Sequence, residues 1–107
     1  MKLFTAAQEK KLRANFGKDA DLKPVVKLFN PVGAGTWLLT ELAPNGIAFG
    51  LCDLGFGSPE LGYVDLQELQ NTRLRFGLSI ERDLHFKATK TVGEYANTAR
   101  QAGAILA

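Results

Sequence analysis

The sequence predicts an α+β domain with a central, mainly antiparallel sheet of about five strands and three packed helices, in the order α-β-β-β-β-α-β-α. Three observations carry this. Helix-capping signatures occur at three separate places. The apolar runs between them are short and joined by turn residues. Charge is segregated: no lysine or arginine lies between Leu28 and Thr72, a stretch holding Glu41, Asp53, Glu60, Asp65 and Glu68. A chain of 107 residues forms one domain, 1–107, large enough to bury a single core.

The first helix is predicted over Ala6 to Phe16. Thr5 and Gln8 have the spacing of a capping box, Leu12 and Phe16 share a face, and Gly17 is placed to end it. A strand follows from Val25 to Phe29, after Pro24 and before Asn30-Pro31. The next runs from Thr36 to Leu42. Ala43-Pro44-Asn45-Gly46 reads as a hairpin turn, with Asn-Gly supplying positive φ. Ile47 to Leu54 returns antiparallel, and a four-residue loop pairs Leu42 with Ile47 and Trp37 with Cys52. One face then carries Leu38, Leu42, Ile47, Phe49 and Leu51. The other sets Trp37, Leu39 and Glu41 over Ala48, Gly50 and Cys52, which packs against a helix or floors a shallow cleft beside Trp37.

A short strand is predicted over Leu61 to Val64. Asp65-x-x-Glu68 starts the second helix, Leu66 to Phe76, with Val64 and Leu69 as a hydrophobic staple and Gly77 as the stop. Ile80 to Lys87 alternates as a half-exposed fifth strand: Ile80, Arg82, Leu84 and Phe86 on one side, Glu81, Asp83, His85 and Lys87 on the other. Thr91-x-x-Glu94 opens the third helix, Val92 to Ala102, in which Val92, Tyr95, Ala96 and Ala99 repeat at helical spacing before Gly103.

Residues 1–27 carry a net charge of +4, residues 28–72 of −5 and residues 73–107 of +3, for +2 overall. That total is too small to point to a polyanion partner. There is neither a signal-peptide apolar region nor a run long enough to span a bilayer, so a soluble, cytoplasmic protein is expected. The single Cys52 excludes an internal disulfide, suits a reducing compartment and reads as a buried, inert thiol.

The standard chemistries fail one by one. Gly33-x-Gly35 and Gly55-x-Gly57 lack the third glycine and the helix that a dinucleotide loop needs. One His and one Cys cannot build a structural zinc site, and no cofactor is implied. His85 is the sole imidazole, with Asp83 two residues earlier to hold it, so a small enzyme using this pair near Trp37 is one reading. Basic residues Lys10, Lys11, Arg13 and Lys18 on the first helix form a patch for a second reading, single-stranded nucleic-acid binding through the basic ends.

Several blocks then point to a family. Pro24-Val25-Val26-Lys27-Leu28-Phe29, Thr36-Trp37-Leu38-Leu39-Thr40-Glu41-Leu42, Phe49-Gly50-Leu51-Cys52-Asp53-Leu54-Gly55, Pro59-Glu60-Leu61-Gly62-Tyr63-Val64 and Glu81-Arg82-Asp83-Leu84-His85-Phe86-Lys87 together resemble the small bacterial DUF2958 family. The resemblance covers nearly the whole chain. It implies a short protein often carried on plasmids or integrative conjugative elements, with no established activity, cofactor or catalytic residue to carry over. It draws attention to Trp37, Glu41, Asp53, Glu60, Tyr63, Arg82, Asp83 and His85. These form one interacting cluster, or serve structure as caps and as ion pairs such as Arg82 with Asp53 or Glu41. The leading reading is a non-enzymatic accessory or regulatory protein of mobile DNA that binds a protein or nucleic-acid partner.

Overall fold

A computed structural model describes residues 3–107. The elements are α1 (Ala6–Asn15), β1 (Val26–Phe29), β2 (Thr36–Leu42), β3 (Ile47–Asp53), β4 (Glu60–Asp65), α2 (Leu66–Asn71), a 3-10 turn (Arg75–Gly77), β5 (Glu81–Arg82) and α3 (Val92–Ala102). The five strands form one antiparallel sheet in the order β4-β3-β2-β1-β5. The architecture is the predicted α+β arrangement, with element order intact.

Both faces of the sheet are covered, which is why β2 is buried along nearly its whole length. Leu12 of α1 and Leu69 of α2 pack with Val26, Leu28, Trp37 and Leu39 on one face. Val92, Tyr95, Ala96 and Ala99 of α3 pack with Leu38 and Leu51 on the other. The outer helices start as their sequences dictate. Thr5 accepts from the Gln8 amide while the Gln8 side chain accepts from the Thr5 amide, and Thr91 and Glu94 repeat the exchange. Each such cap contributes about 1 kcal/mol. Gly103 ends α3 in the left-handed region at φ 78°.

Alternation along β2 breaks once. Leu39 pairs with Gly50, but Glu41 pairs with Phe49 and Leu42 with Ala48, so Thr40 is an extra residue in a β-bulge. Trp37 pairs with Cys52 as expected; Leu42 does not pair with Ile47. A one-residue shift exchanges faces. Leu42 therefore joins Trp37 and Leu39 on the α1 side, and Glu41 turns to the α3 side. The bulge is satisfied from α1: the buried Asn15 amide donates to the Thr40 carbonyl at 3.0 Å, and the Thr40 hydroxyl donates to the Phe49 carbonyl at 3.2 Å.

Two other expectations need correction. The second helix stops at Asn71 instead of continuing to Phe76, and Asp65 caps it through the Gln67 amide. Leu74–Leu78 is a closed loop with Phe76 at its tip, so Leu69, Arg73 and Phe76 do not share a helical face. The fifth strand spans Glu81–Arg82, not Ile80 to Lys87. Beyond it the Asp83 carboxylate accepts from the His85 amide at 2.9 Å and turns the chain. Ile80 then belongs to the α1-side core, Phe86 packs toward Tyr95 on the α3 side, and Leu84 is exposed.

Candidate binding surfaces

The register places the singled-out residues on different parts of the sheet. Glu60, Cys52, Trp37, Leu28 and Arg82 stand in one row across all five strands, facing the α1 side. Asp53 stands in the next row, with Thr36, Phe29 and Glu81, facing α3. Glu60 and Arg82 therefore sit at opposite sheet edges, about 19 Å apart at 4.8 Å per strand. Arg82 and Asp53 are on opposite faces, and the register does not bring them together as an ion pair.

Asp53, Glu41 and Asp83 each have a local structural occupation. Asp53 is buried at the end of β3 and accepts from the Gly55 amide at 2.8 Å and the Ile105 amide at 3.2 Å. It thus ties the turn after β3 to the segment after α3. Glu41 accepts from the Gly17 amide at 3.2 Å, at the exit of α1. Trp37 is a core residue, with Gly35 packed against its ring. Cys52 is half-buried, short of the full burial expected, and burial pushes its thiol pKa up. Asp21, not singled out in the sequence, holds the start of α3 by accepting from the Gly93 amide and the Thr91 hydroxyl.

Asp83 does not orient the His85 imidazole. Its Oδ1 takes the His85 backbone amide, and its Oδ2 lies 3.4 Å from the Lys27 ammonium. His85 lies in a hollow on the α3 side with Lys87, Lys90 and Tyr95, whereas Trp37 is on the α1 side. The pair and the tryptophan do not meet. Among the described residues, no group of three His, Cys, Asp or Glu side chains is placed to hold a metal ion.

The Asp83 carboxyl is held below its ordinary range, first by the His85 amide and then by the Lys27 hydrogen bond and charge. A depressed carboxyl stabilises the fold above its unfolded pKa of about 3.9, and that contribution disappears as pH falls through the lower folded value. On acidification below about pH 4, the parent is expected to lose more stability than Asp83→Asn. The difference should stay under about 1 kcal/mol, because solvent still screens a partly exposed pair. Urea midpoints measured at stepped acid pH check this; parallel decline of the two proteins contradicts it.

The basic patch expected on the first helix is divided, and Lys18 lies beyond the helix, which ends at Asn15. Arg13 bonds Glu9 at 3.1 Å and reaches the Ala43 carbonyl, and Lys18 reaches Asn15. Lys10 and Lys11 are exposed.

A family model described as a protein of unknown function (DUF2958) matches residues 3–106. The chain belongs to the DUF2958 family. No curated protein and no solved structure matches it. In this DUF2958 protein the recognised blocks thus hold mainly fold-building residues: a bulge, a turn clamp, a core tryptophan and an Asx turn.

One surface of the DUF2958 fold was not legible as a site. Among the described residues β4 is a sheet edge, bonded to β3 on one side with no strand on the other. Tyr63 on this strand and Leu54 and Phe56 beside it are exposed by 75%, 61% and 86%. With Cys52 and Gly62 they line a shallow groove of about 230 Å³. Tyr63 is braced by the Phe49 ring at 5.1 Å between centroids. Of the residues singled out in the sequence, Cys52, Glu60 and Tyr63 border this groove. Pairing order, which sequence periodicity does not report, is what exposes it. Among the described residues no helix is long and apolar enough to cross a membrane.

Proposed function

We propose that this protein is a binding module that takes an extended segment of a protein partner along the outer edge of β4, as an accessory factor of the mobile element that its family resemblance implies. One observation carries the reading: an unpaired six-residue edge strand lies beside an apolar groove rimmed by aromatic side chains. Exposed strand edges offer backbone donors and acceptors to an incoming strand, and adjoining pockets select its alternate side chains. The middle of β4, Leu61-Gly62-Tyr63-Val64, carries no charge, so nothing repels a strand there.

Charge selects the partner. Glu60 and Asp65 stand at the two ends of β4, and Glu68 follows on α2. Residues 28–72 supply no cation; Arg100 of α3 shares a hollow with Glu60, so Asp65 and Glu68 carry most of the preference. A segment alternating apolar with basic residues places its aliphatic side chains in the groove and its ammonium groups by these carboxylates.

Titration of the ¹⁵N-labelled protein with a short peptide of alternating valine and lysine tests this. Amide shifts should concentrate at Leu54, Phe56 and residues 60–65. Alternate N-methylation of the peptide should abolish them, as should replacing its lysines with glutamates. Shifts centred elsewhere, undiminished binding of the methylated peptide, or no response at about 1 mM would defeat the reading.

A further inference from the structure

We infer that the tip Arg75-Phe76-Gly77 is a second contact site, separate from the β4 groove, on which a base of single-stranded nucleic acid stacks against the Phe76 ring. Phe76 is the one non-glycine residue with positive φ among the described residues, at φ 63° and ψ 23°. Bulky side chains avoid this region, and where one persists its surroundings must hold it there. Here the backbone holds it: the Leu74 amide donates to the Leu78 carbonyl at 2.9 Å, and the Leu78 amide donates to the Arg75 carbonyl at 3.2 Å. The ring gains no burial in return, since Phe76 is 84% exposed. A strained backbone and a solvated aromatic ring are both unfavourable for the free protein, so the fold gives no reason for either.

The surroundings name the ligand chemistry. The Arg75 guanidinium lies 5.9 Å from the Phe76 ring centre and is steadied by the Val32 carbonyl. Arg73 lies two residues earlier, where it also reaches the Gln70 carbonyl, and residues 70–80 contain no acid while offering the Gln70, Asn71 and Ser79 side chains as hydrogen-bonding groups. An exposed ring beside the Arg75 guanidinium matches a planar base next to a phosphate. A bilayer suits the tip less well, because one ring among polar neighbours buries too little apolar surface to hold it there. The site is also distinct from the basic patch at α1, where Arg13 and Lys18 are engaged locally.

Fluorescence anisotropy with a labelled single-stranded oligonucleotide tests the inference at low and moderate salt. Phe76→Ala should weaken binding between about fivefold and a hundredfold, and Phe76→Trp should preserve it. Arg75→Gln should reduce the log–log salt slope by about 0.7, the share of one phosphate. Phe76→Gly separates binding from folding: glycine accepts the left-handed region, so its thermal midpoint should equal or exceed the parent's while binding is lost. The inference fails if the parent does not bind at about 100 µM protein at low salt, if Phe76→Gly binds as the parent does, if that variant melts lower, or if Phe76 instead governs binding to phosphatidylserine vesicles.

Discussion

Gly50→Ala is expected to destabilise the protein by at least about 3 kcal/mol, and to leave much of it unfolded if the parent is only marginally stable. A Cβ at this position would overlap the Leu38 carbonyl oxygen and lie 2.8 Å from the Leu39 Cα. Both contacts are backbone atoms of the neighbouring central strand, so no side-chain rotation relieves them. Gly50 faces the bulge at Thr40, where β2 and β3 approach closely. Relief requires the two strands to separate, which loosens the Asn15–Thr40 bond and the α1-side core together. Urea unfolding followed by circular dichroism measures the change. A loss below about 1 kcal/mol would mean that the close approach is not a feature of the folded protein. Gly62→Ala is the matched control, because a Cβ there meets no atom within 4 Å.

Asp53→Ala should cost about 2–3 kcal/mol. The carboxylate is buried and serves two backbone amides, Gly55 and Ile105, that are far apart in sequence. Its removal leaves both donors without their acceptor and frees the segment after α3 from the sheet. Asp53→Asn should recover only part of the loss, because a side-chain amide offers one acceptor where two are needed. Hydrogen exchange supplies the specific readout: the Ile105 amide should lose protection in both variants while amides of β2 keep theirs. If Ile105 exchanges as in the parent, the clamp does not operate. Asp53 is one of the residues that the family resemblance brings forward, so a purely stability-based effect would assign it to the fold.

The same contrast explains what was legible in the chain. Capping boxes at Thr5 and Thr91 are local exchanges across three residues, and both formed as written. The Asn45-Gly46 turn set the hairpin for a similar reason, but one residue out of the expected register, and only the bulge at Thr40 brings Trp37 back opposite Cys52. The bulge was harder to see because its cause is tertiary: Asn15, twenty-five residues upstream, satisfies the Thr40 carbonyl. Its trace in sequence is Gly50, inside an otherwise apolar strand, combined with the polar pair Thr40-Glu41 inside another. The fifth strand was read too long because alternation cannot register the Asx turn by which Asp83 ends pairing. The helix at Leu66 ran too long because Phe76-Gly77 reads as a helix end, whereas the chain had already left the helix at Thr72. The β4 groove stayed hidden because strand order, not composition, decides which strand has an open side.

The sheet's two borders are unequal. On one side β5 contributes two residues before the chain turns away; on the other β4 contributes six. Fibril growth by stacking chains edge upon edge needs two sticky margins, so that each newcomer presents a fresh one. With a single long margin, a joined pair has none left, and self-association through it is self-limiting at two chains. The short closing strand thus guards against runaway polymerisation while leaving the opposite border free for use.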